Sequence, residues 1–134
     1  MAYAISYVST AIVFLGLDFM WLMGSSKFYR SRLGELLLAQ PNFVAAGAFY
    51  MIYVGGISYF AVMPSVNSGS WSTALLSGAM LGLVAFGTYD MTNLATLKGW
   101  SLQVSLVDMA WGVFITTSSA LAGYFSVSAA LKLL

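Results

Sequence analysis

The chain has 134 residues, of which 60% are hydrophobic and 7% are charged, with a formal net charge of +1 and a mean hydropathy of +0.89. Soluble domains carry roughly 25% charged residues, so most of this surface suits lipid rather than water, and no basic stripe is present to bind the phosphates of a nucleic acid. The absence of Cys and His excludes disulfides, thiolate nucleophiles, imidazole bases and the usual zinc or haem ligands, and no cofactor is evident.

Four apolar segments are long enough to cross the hydrocarbon layer, which takes about 20 residues per helix. They cover residues 3–23, 43–63, 72–94 and 102–124, and the last is expected to continue towards the C-terminus. The first lacks a basic leader and a cleavage site, so we expect a retained span. The sequence therefore predicts an all-α fold, in which residues 1–134 form one integral membrane bundle of four transmembrane helices.

The three connections between these spans differ in length. The first, residues 24–40, is the longest, and its second half, residues 33–40, is compatible with a short interfacial helix. The second, residues 64–71, is uncharged and typical of a turn. The third, around Lys98, is so short that spans three and four must form an antiparallel hairpin.

Positive charge is distributed unequally between the two sides of the membrane. The first and third connections lie on one side and hold Lys27, Arg30, Arg32 and Lys98, whereas the other side holds Lys132. The positive-inside rule therefore predicts that these connections are cytoplasmic and that both termini are non-cytoplasmic, in a multi-pass protein of the cell (inner) membrane. Topology and contact with anionic lipid headgroups suffice to explain these cations.

Three aspartates fall within the predicted spans. Asp18 and Asp90 lie near the cytoplasmic ends of spans one and three, and Asp108 lies about two turns into span four from the same side. An ionised carboxylate in hydrocarbon costs at least about 2–3 kcal/mol, so these side chains should face protein or water. We expect a polar pocket that opens to the cytoplasm, with tyrosine hydroxyls, Asn93 or nearby cations as partners of the acids.

Helical periodicity gives each span a polar or small face. The residues on these faces that are candidates for the pocket, besides the three aspartates, are Tyr50, Tyr53, Tyr89, Thr92, Asn93 and Thr96. Gly78, Gly82 and Gly112 are interpreted as helix-packing positions, and the first two have the spacing that lets helix backbones touch in lipid.

Two tryptophans repeat one spacing relative to an acid, as Asp18-x-x-Trp21 and Asp108-x-x-Trp111. Each indole N–H lies one turn from a carboxylate and could donate to it. Trp21, Trp111 and Trp100 are also suited to anchoring at the membrane interface, which is the more common role of tryptophan at a span end.

Several short motifs along the whole chain resemble one family. They are Leu17-Asp18-x-x-Trp21, Phe28-Tyr29, Pro41-Asn42, Phe49-Tyr50-x-x-Tyr53-x-Gly55, Tyr89-Asp90-x-Thr92-Asn93-x-Ala95-Thr96-Leu97-Lys98-x-Trp100 and Asp108-x-x-Trp111-Gly112. The chain is similar in these positions to the domain of unknown function 2177 family, whose members are small predicted membrane proteins, mostly bacterial. The resemblance implies a membrane location and brings no activity or substrate.

Three function classes remain open from the sequence. The first is a binding or transport module that holds a cation, a proton or a polar headgroup, and because four spans are few for a transporter this predicts a homo-oligomer with Gly78 and Gly82 as its contact. The second is a lipid-modifying enzyme in which Asp90 and Asp108 form an acid/base or Mg²⁺-binding pair. The third is an accessory subunit of a larger membrane complex. Binding and accessory roles rank above catalysis, since no nucleophile or phosphate-binding motif is present.

Overall fold

The computed structural model describes residues 1–134 and is all-helical. Four helices are long and apolar enough to cross a membrane, namely Ala2–Leu36, Phe43–Ser68, Trp71–Thr96 and Leu102–Leu133. The predicted all-α membrane bundle with four spanning-type helices is therefore confirmed.

Helix α1, Ala2–Leu33, is longer than the sequence suggested. Ser25 continues the helix where a connection was predicted, and its hydroxyl donates to the Trp21 carbonyl over 2.6 Å. Gly34, with a φ of 51°, ends α1 and begins a single 3-10 turn, Gly34–Leu36. The interfacial helix predicted for residues 33–40 is therefore wrong, because the chain becomes extended at Leu37.

The second spanning helix begins where Asn42 caps it, through a side chain that accepts a hydrogen bond from the Ala45 amide over 3.1 Å. Helix α2, Phe43–Ile57, continues through a π-helical turn, Ser58–Val62, into α3, Met63–Ser68. Pro64 thus lies inside the helix, and the turn predicted for residues 64–71 is shorter than expected. The wide π turn accommodates the proline, whose ring clashes with the preceding turn of a regular α-helix.

Helices α4, Trp71–Thr96, and α5, Leu102–Leu133, form the predicted antiparallel hairpin. Gly99, with a φ of 79°, lies in the turn between them. The Ser101 side chain caps α5 by accepting from the Val104 amide over 3.2 Å. As expected, α5 continues well past residue 124.

Glycines bring α4 and α5 into backbone contact. A Cβ atom on Gly82 would lie 2.9 Å from the carbonyl carbon of Gly112, and one on Gly78 would lie 3.0 Å from the Cα of Thr117. Both glycines are buried against α5 inside the same chain. The oligomer contact suggested for Gly78 and Gly82 is therefore wrong, because α5 already covers this face.

The exposed and buried surfaces have the pattern of a protein in lipid. Large apolar side chains such as Ile52 and Leu76 point outward, with 72% and 68% of their surface exposed. The interior combines an apolar cluster around Phe14, Ile57 and Ile115 with many polar side chains. The fully or almost fully buried polar residues are Ser6, Thr10, Ser25, Ser58, Ser65, Asp90, Ser105, Thr116 and Ser119.

Substituting Gly82→Ala should destabilise the bundle by about 1–3 kcal/mol, because the new methyl group would overlap the α5 backbone and force the hairpin apart. Thermal unfolding in detergent, followed by circular dichroism, measures this loss. Gly16→Ala is the matched control, since a Cβ there meets no atom within 4 Å. Equal stability of the two variants would contradict the close packing of α4 and α5.

Candidate functional site

The three intramembrane aspartates converge inside the bundle. Asp90 and Asp108 lie side by side, each six residues from a helix end at the turn between α4 and α5. Asp108 is also the acidic neighbour of Asp18. The sequence predicted Asp18 near the end of its span. Because α1 extends to Leu33, Asp18 instead lies halfway along its helix.

Asp90 is the most deeply enclosed of the acids. Its side chain is 0% exposed, and neither carboxyl oxygen has a hydrogen-bond partner. Its backbone carbonyl accepts a hydrogen bond from the Ser105 hydroxyl over 3.1 Å, which ties α4 to α5 at this level. The Asp108 carboxyl lies beside the Asp90 carboxyl. Two carboxyls therefore adjoin in the interior, and one of them lacks any donor.

Asp108 is bound by a short chain of hydrogen bonds that begins on α1. The Tyr29 hydroxyl donates to Oδ1 of Asp108 over 2.8 Å. The indole Nε1–H of Trp21 donates in turn to the Tyr29 hydroxyl over 3.2 Å. This leaves the tyrosine proton directed at the carboxylate, so the chain favours the arrangement in which Asp108 accepts.

Asp18 has its own tyrosine, from α2. The Tyr50 hydroxyl donates to Oδ2 of Asp18 over 2.7 Å. The Trp111 indole N–H faces the same carboxyl without completing a hydrogen bond. Each acid of the repeated Asp-x-x-Trp spacing is thus approached by the tryptophan of the other motif, directly or through Tyr29.

The two tryptophans of these motifs stack on each other. The ring centroids of Trp21 and Trp111 lie 4.4 Å apart, with an angle of 7° between the ring planes. Both side chains are half-buried between α1 and α5, so they pack between helices rather than serving only as interfacial anchors. Trp100 packs edge-on against Tyr89 and donates to the Ser105 hydroxyl over 2.9 Å.

The other pocket candidates divide into two groups. Tyr53 is buried and shares a 2.8 Å hydrogen bond with the Thr116 hydroxyl. Tyr89, Thr92 and Thr96 lie on the exposed side of α4, and the Thr96 hydroxyl donates to the Thr92 carbonyl. Asn93 is half-buried beside Tyr89. The structure therefore brings Tyr50 to the aspartates and places the threonines of α4 away from them.

Tyrosine hydroxyls rather than cations contact the aspartates. Arg30 donates to the Ala39 carbonyl, and Arg32 donates to the Gln103 side chain. Lys27 and Lys98 are exposed. The cations expected as partners of the acids thus remain at the bundle surface, while Asp18 and Asp108 accept their hydrogen bonds from Tyr50 and Tyr29.

Two grooves on the bundle surface do not include the acids. The first, of about 380 Å³, lies on the outer face of α1 and is lined by Met20, Trp21, Gly24, Ser25, Phe28 and Val107. The second, of about 420 Å³, lies between side chains of α4 and the second spanning helix. Asp90 has no exposed surface, whereas Asp18 and Asp108 are half-buried. Neither groove corresponds to the polar pocket that the sequence predicts, and that pocket stays a prediction.

The donor set can be compared with the needs of a metal ion. No three Asp, Glu, His or Cys side chains lie close enough together to hold one metal ion. Asp90 and Asp108 would supply two carboxylates, and the Tyr29 and Ser105 hydroxyls are the neutral oxygens nearby. Mg²⁺ requires six oxygen ligands in near-octahedral geometry, so these groups would hold it only together with several water molecules.

Tyr29 is the functional candidate that sequence reasoning missed. It lies eleven residues after Asp18, which is about three helical turns and returns to the same face. The signal was hidden because the first span was predicted to end at residue 23. A helix that continues to Leu33 places Tyr29 on the inner face of α1, level with Asp108.

Residues 3–125 match the model of a family described as "Predicted membrane protein (DUF2177)". The chain belongs to this family. The resemblance derived from the short motifs is confirmed, and with it the assignment as a membrane protein. No curated protein and no solved structure matches the chain.

Removing the Tyr29 hydroxyl should weaken the link between α1 and α5. For Tyr29→Phe we expect a loss of about 1–2 kcal/mol in the free energy of unfolding, because the Asp108 carboxyl loses the hydrogen bond that the Tyr29 hydroxyl donates to it. Tyr59→Phe is the control, since Tyr59 is 62% exposed. Combining Tyr29→Phe with Asp108→Asn in a double-mutant cycle measures the coupling directly, and additive losses would contradict the contact.

Proposed function

We propose that this membrane protein binds a proton between Asp90 and Asp108, inside the bundle and close to its cytoplasmic end. The observation that supports this is the Asp90 carboxyl, which is wholly buried, has no hydrogen-bond donor and adjoins a second carboxyl. The protein then acts as a proton-binding module of the membrane, within the binding and transport class.

The physical argument concerns charge in a medium of low dielectric constant. Two adjacent carboxylates cannot both be ionised away from water without a positive partner, and acids in this arrangement share one proton. Tyr29 already donates to Oδ1 of Asp108, so Asp108 acts as a hydrogen-bond acceptor. We assign the shared proton to Asp90, whose O–H can then donate to Asp108.

A proton fits this donor set better than a metal ion. Two carboxylates and two hydroxyls fall short of the ligands that a divalent cation requires. The lipid-enzyme alternative needs a substrate to reach Asp90, and that side chain offers no exposed surface. Metal binding remains an outcome of the experiment below.

Infrared spectroscopy of the protein in lipid nanodiscs tests this assignment. A protonated carboxyl has a C=O stretching band that ionised carboxylates lack, and we expect this band in the wild-type protein and its loss in Asp90→Asn. Glu35→Gln is the matched control, because Glu35 is exposed in the 3-10 turn that follows α1. Calorimetric titration of the wild type with Mg²⁺ or Na⁺ alone measures whether a metal ion binds.

The proposal is overturned if Asp90→Asn leaves the carboxyl bands unchanged. It is also overturned if Mg²⁺ or Na⁺ binds to the wild type and removes the protonated band, since a metal then occupies the pair. Folded yield and thermal stability of each variant are recorded beside the spectra, and Asp108→Asn offers a second route if Asp90→Asn does not fold.

We further propose that the Asp90–Asp108 end faces the cytoplasm of the cell membrane, with both termini on the opposite side. The support is the position of Arg32 and Lys98 at this end of the bundle. The chain has no cysteine, so a single introduced thiol reports its side of the membrane.

In intact cells, a membrane-impermeant thiol reagent should label Asn67→Cys, exposed near the end of α3 on the opposite side, and spare Lys98→Cys. Both variants should react after the membrane is permeabilised. The reverse pattern in intact cells would place the carboxyl pair on the outer side.

A further inference from the structure

We propose that the bundle conducts protons along its axis, from the Asp90–Asp108 pair past Asp18 to buried hydroxyls near the other end. This rests on the proposed proton site and extends it from binding to transfer. The route consists of polar side chains from several helices that follow one another along the length of α5. Several of them are buried and have no hydrogen-bond partner.

The first step of the route joins the carboxyl pair to Asp18. Tyr50 donates to Asp18 over 2.7 Å, and Asp108 is also a charged neighbour of the Tyr50 hydroxyl. The proton of Asp90 passes first to Asp108. When Asp108 and Tyr50 approach to hydrogen-bond distance, it joins the Tyr50 oxygen while the Tyr50 proton passes to Asp18. Only O–H bonds form and break in this exchange, so it needs no oxidant or co-reactant.

Asp18 has a defined set of neighbours at the middle of the bundle. Tyr50 faces it from α2, and Trp111 and Asp108 face it from α5. No Lys or Arg is among these groups. Asp18 is thus held by the hydrogen bond from Tyr50 rather than by an ion pair, so its side chain can take up and release a proton without breaking a salt bridge.

Buried hydroxyls continue the route beyond Asp18. Thr116 shares its hydrogen bond with Tyr53, and Ser119 lies one turn further along α5. Thr10 follows at the level of Gly123, against which its hydroxyl packs. Ser6 then donates to Ser58 of the π turn over 2.9 Å.

Two members of this hydroxyl series point to a polar guest. Thr10 and Ser119 are 0% exposed, and the hydroxyl of each lacks a hydrogen-bond partner. Such a group in a membrane interior costs free energy unless something bonds to it. A hydrated proton that passes can form hydrogen bonds with these two hydroxyls. If the two side chains served only to pack the helices, their hydroxyls would have no such partner.

Phe14 lies on the route between Asp18 and Thr10. It lies on α1 one turn from Asp18 on one side and one turn from Thr10 on the other, and it is 2% exposed. Its ring packs edge-on against Tyr50 and Tyr53, with centroid distances of 5.6 and 5.5 Å. Passage from Asp18 to the hydroxyls therefore requires the ring to shift.

Proton flux into liposomes tests the proposal. Purified protein is reconstituted with a pH-sensitive dye inside the vesicles, and a potassium diffusion potential set by valinomycin drives proton entry. We expect flux above that of protein-free vesicles for the wild type, and a fall to the protein-free rate for Asp18→Asn. Thr10→Val should lower the flux while leaving the shape of the side chain nearly unchanged.

Thr88→Val is the matched control for Thr10→Val, because Thr88 is exposed on α4 and its hydroxyl donates to the Val84 carbonyl of its own helix. Wild-type flux equal to that of empty vesicles overturns the route, as does full flux through Asp18→Asn or an equal effect of the two threonine variants. The infrared band assigned to Asp90 decides the proton site separately, so a failed route and a failed site are distinguished.

Discussion

Lipid offers a buried carboxylate neither water nor a hydrogen-bond donor, and this constraint organises the bundle interior. Asp18 and Asp108 satisfy it through tyrosines that come from other helices, Tyr50 and Tyr29. Each such contact therefore fixes the register between two spans. Asp90 is the exception, because its oxygens lack donors and its neighbour is another acid.

Close backbone packing makes the enclosure of the acids possible. Gly78, Gly82 and Gly112 let α4 and α5 approach until their backbones touch, and this brings Asp90 and Ser105 within hydrogen-bond distance across the interface. Larger residues at the glycine positions would separate the helices and open the acid pair to lipid. The small residues thus determine both the stability of the hairpin and the environment of the carboxyls.

The sequence predicted the architecture well because composition and span length depend on the membrane alone. The four spans, the Asn42 cap and the α4–α5 hairpin follow from such local signals. The length of α1 could not be predicted in this way, because Gly24 and two serines break the apolar pattern. The helix continues through them and packs against α5. That one error hid Tyr29 and placed Asp18 too close to the end of its helix.

The candidate site was predicted in outline and not in detail. Periodicity identified the faces that carry Asp18, Tyr50 and Asp108, since the face on which a residue lies depends only on its position within its own helix. It could not show that Tyr89, Thr92 and Thr96 are exposed, because that depends on which neighbour covers α4. Nor could it show the stacking of Trp21 on Trp111, which requires the relative heights of two antiparallel helices.

The packing of α2 has a mechanical consequence. The largest interfaces join α5 to α4 and to α1, whereas α2 contacts the bundle sparingly, and its first residues, Phe43 and Val44, are exposed to 71% and 84%. The last part of α2 is anchored in the core, because Val54 and Ile57 are fully buried. Tyr50, on the same helix, joins the acid and the aromatic packing, since its hydroxyl donates to Asp18 and its ring contacts Phe14. Any change in the position of α2 would therefore alter both contacts at once.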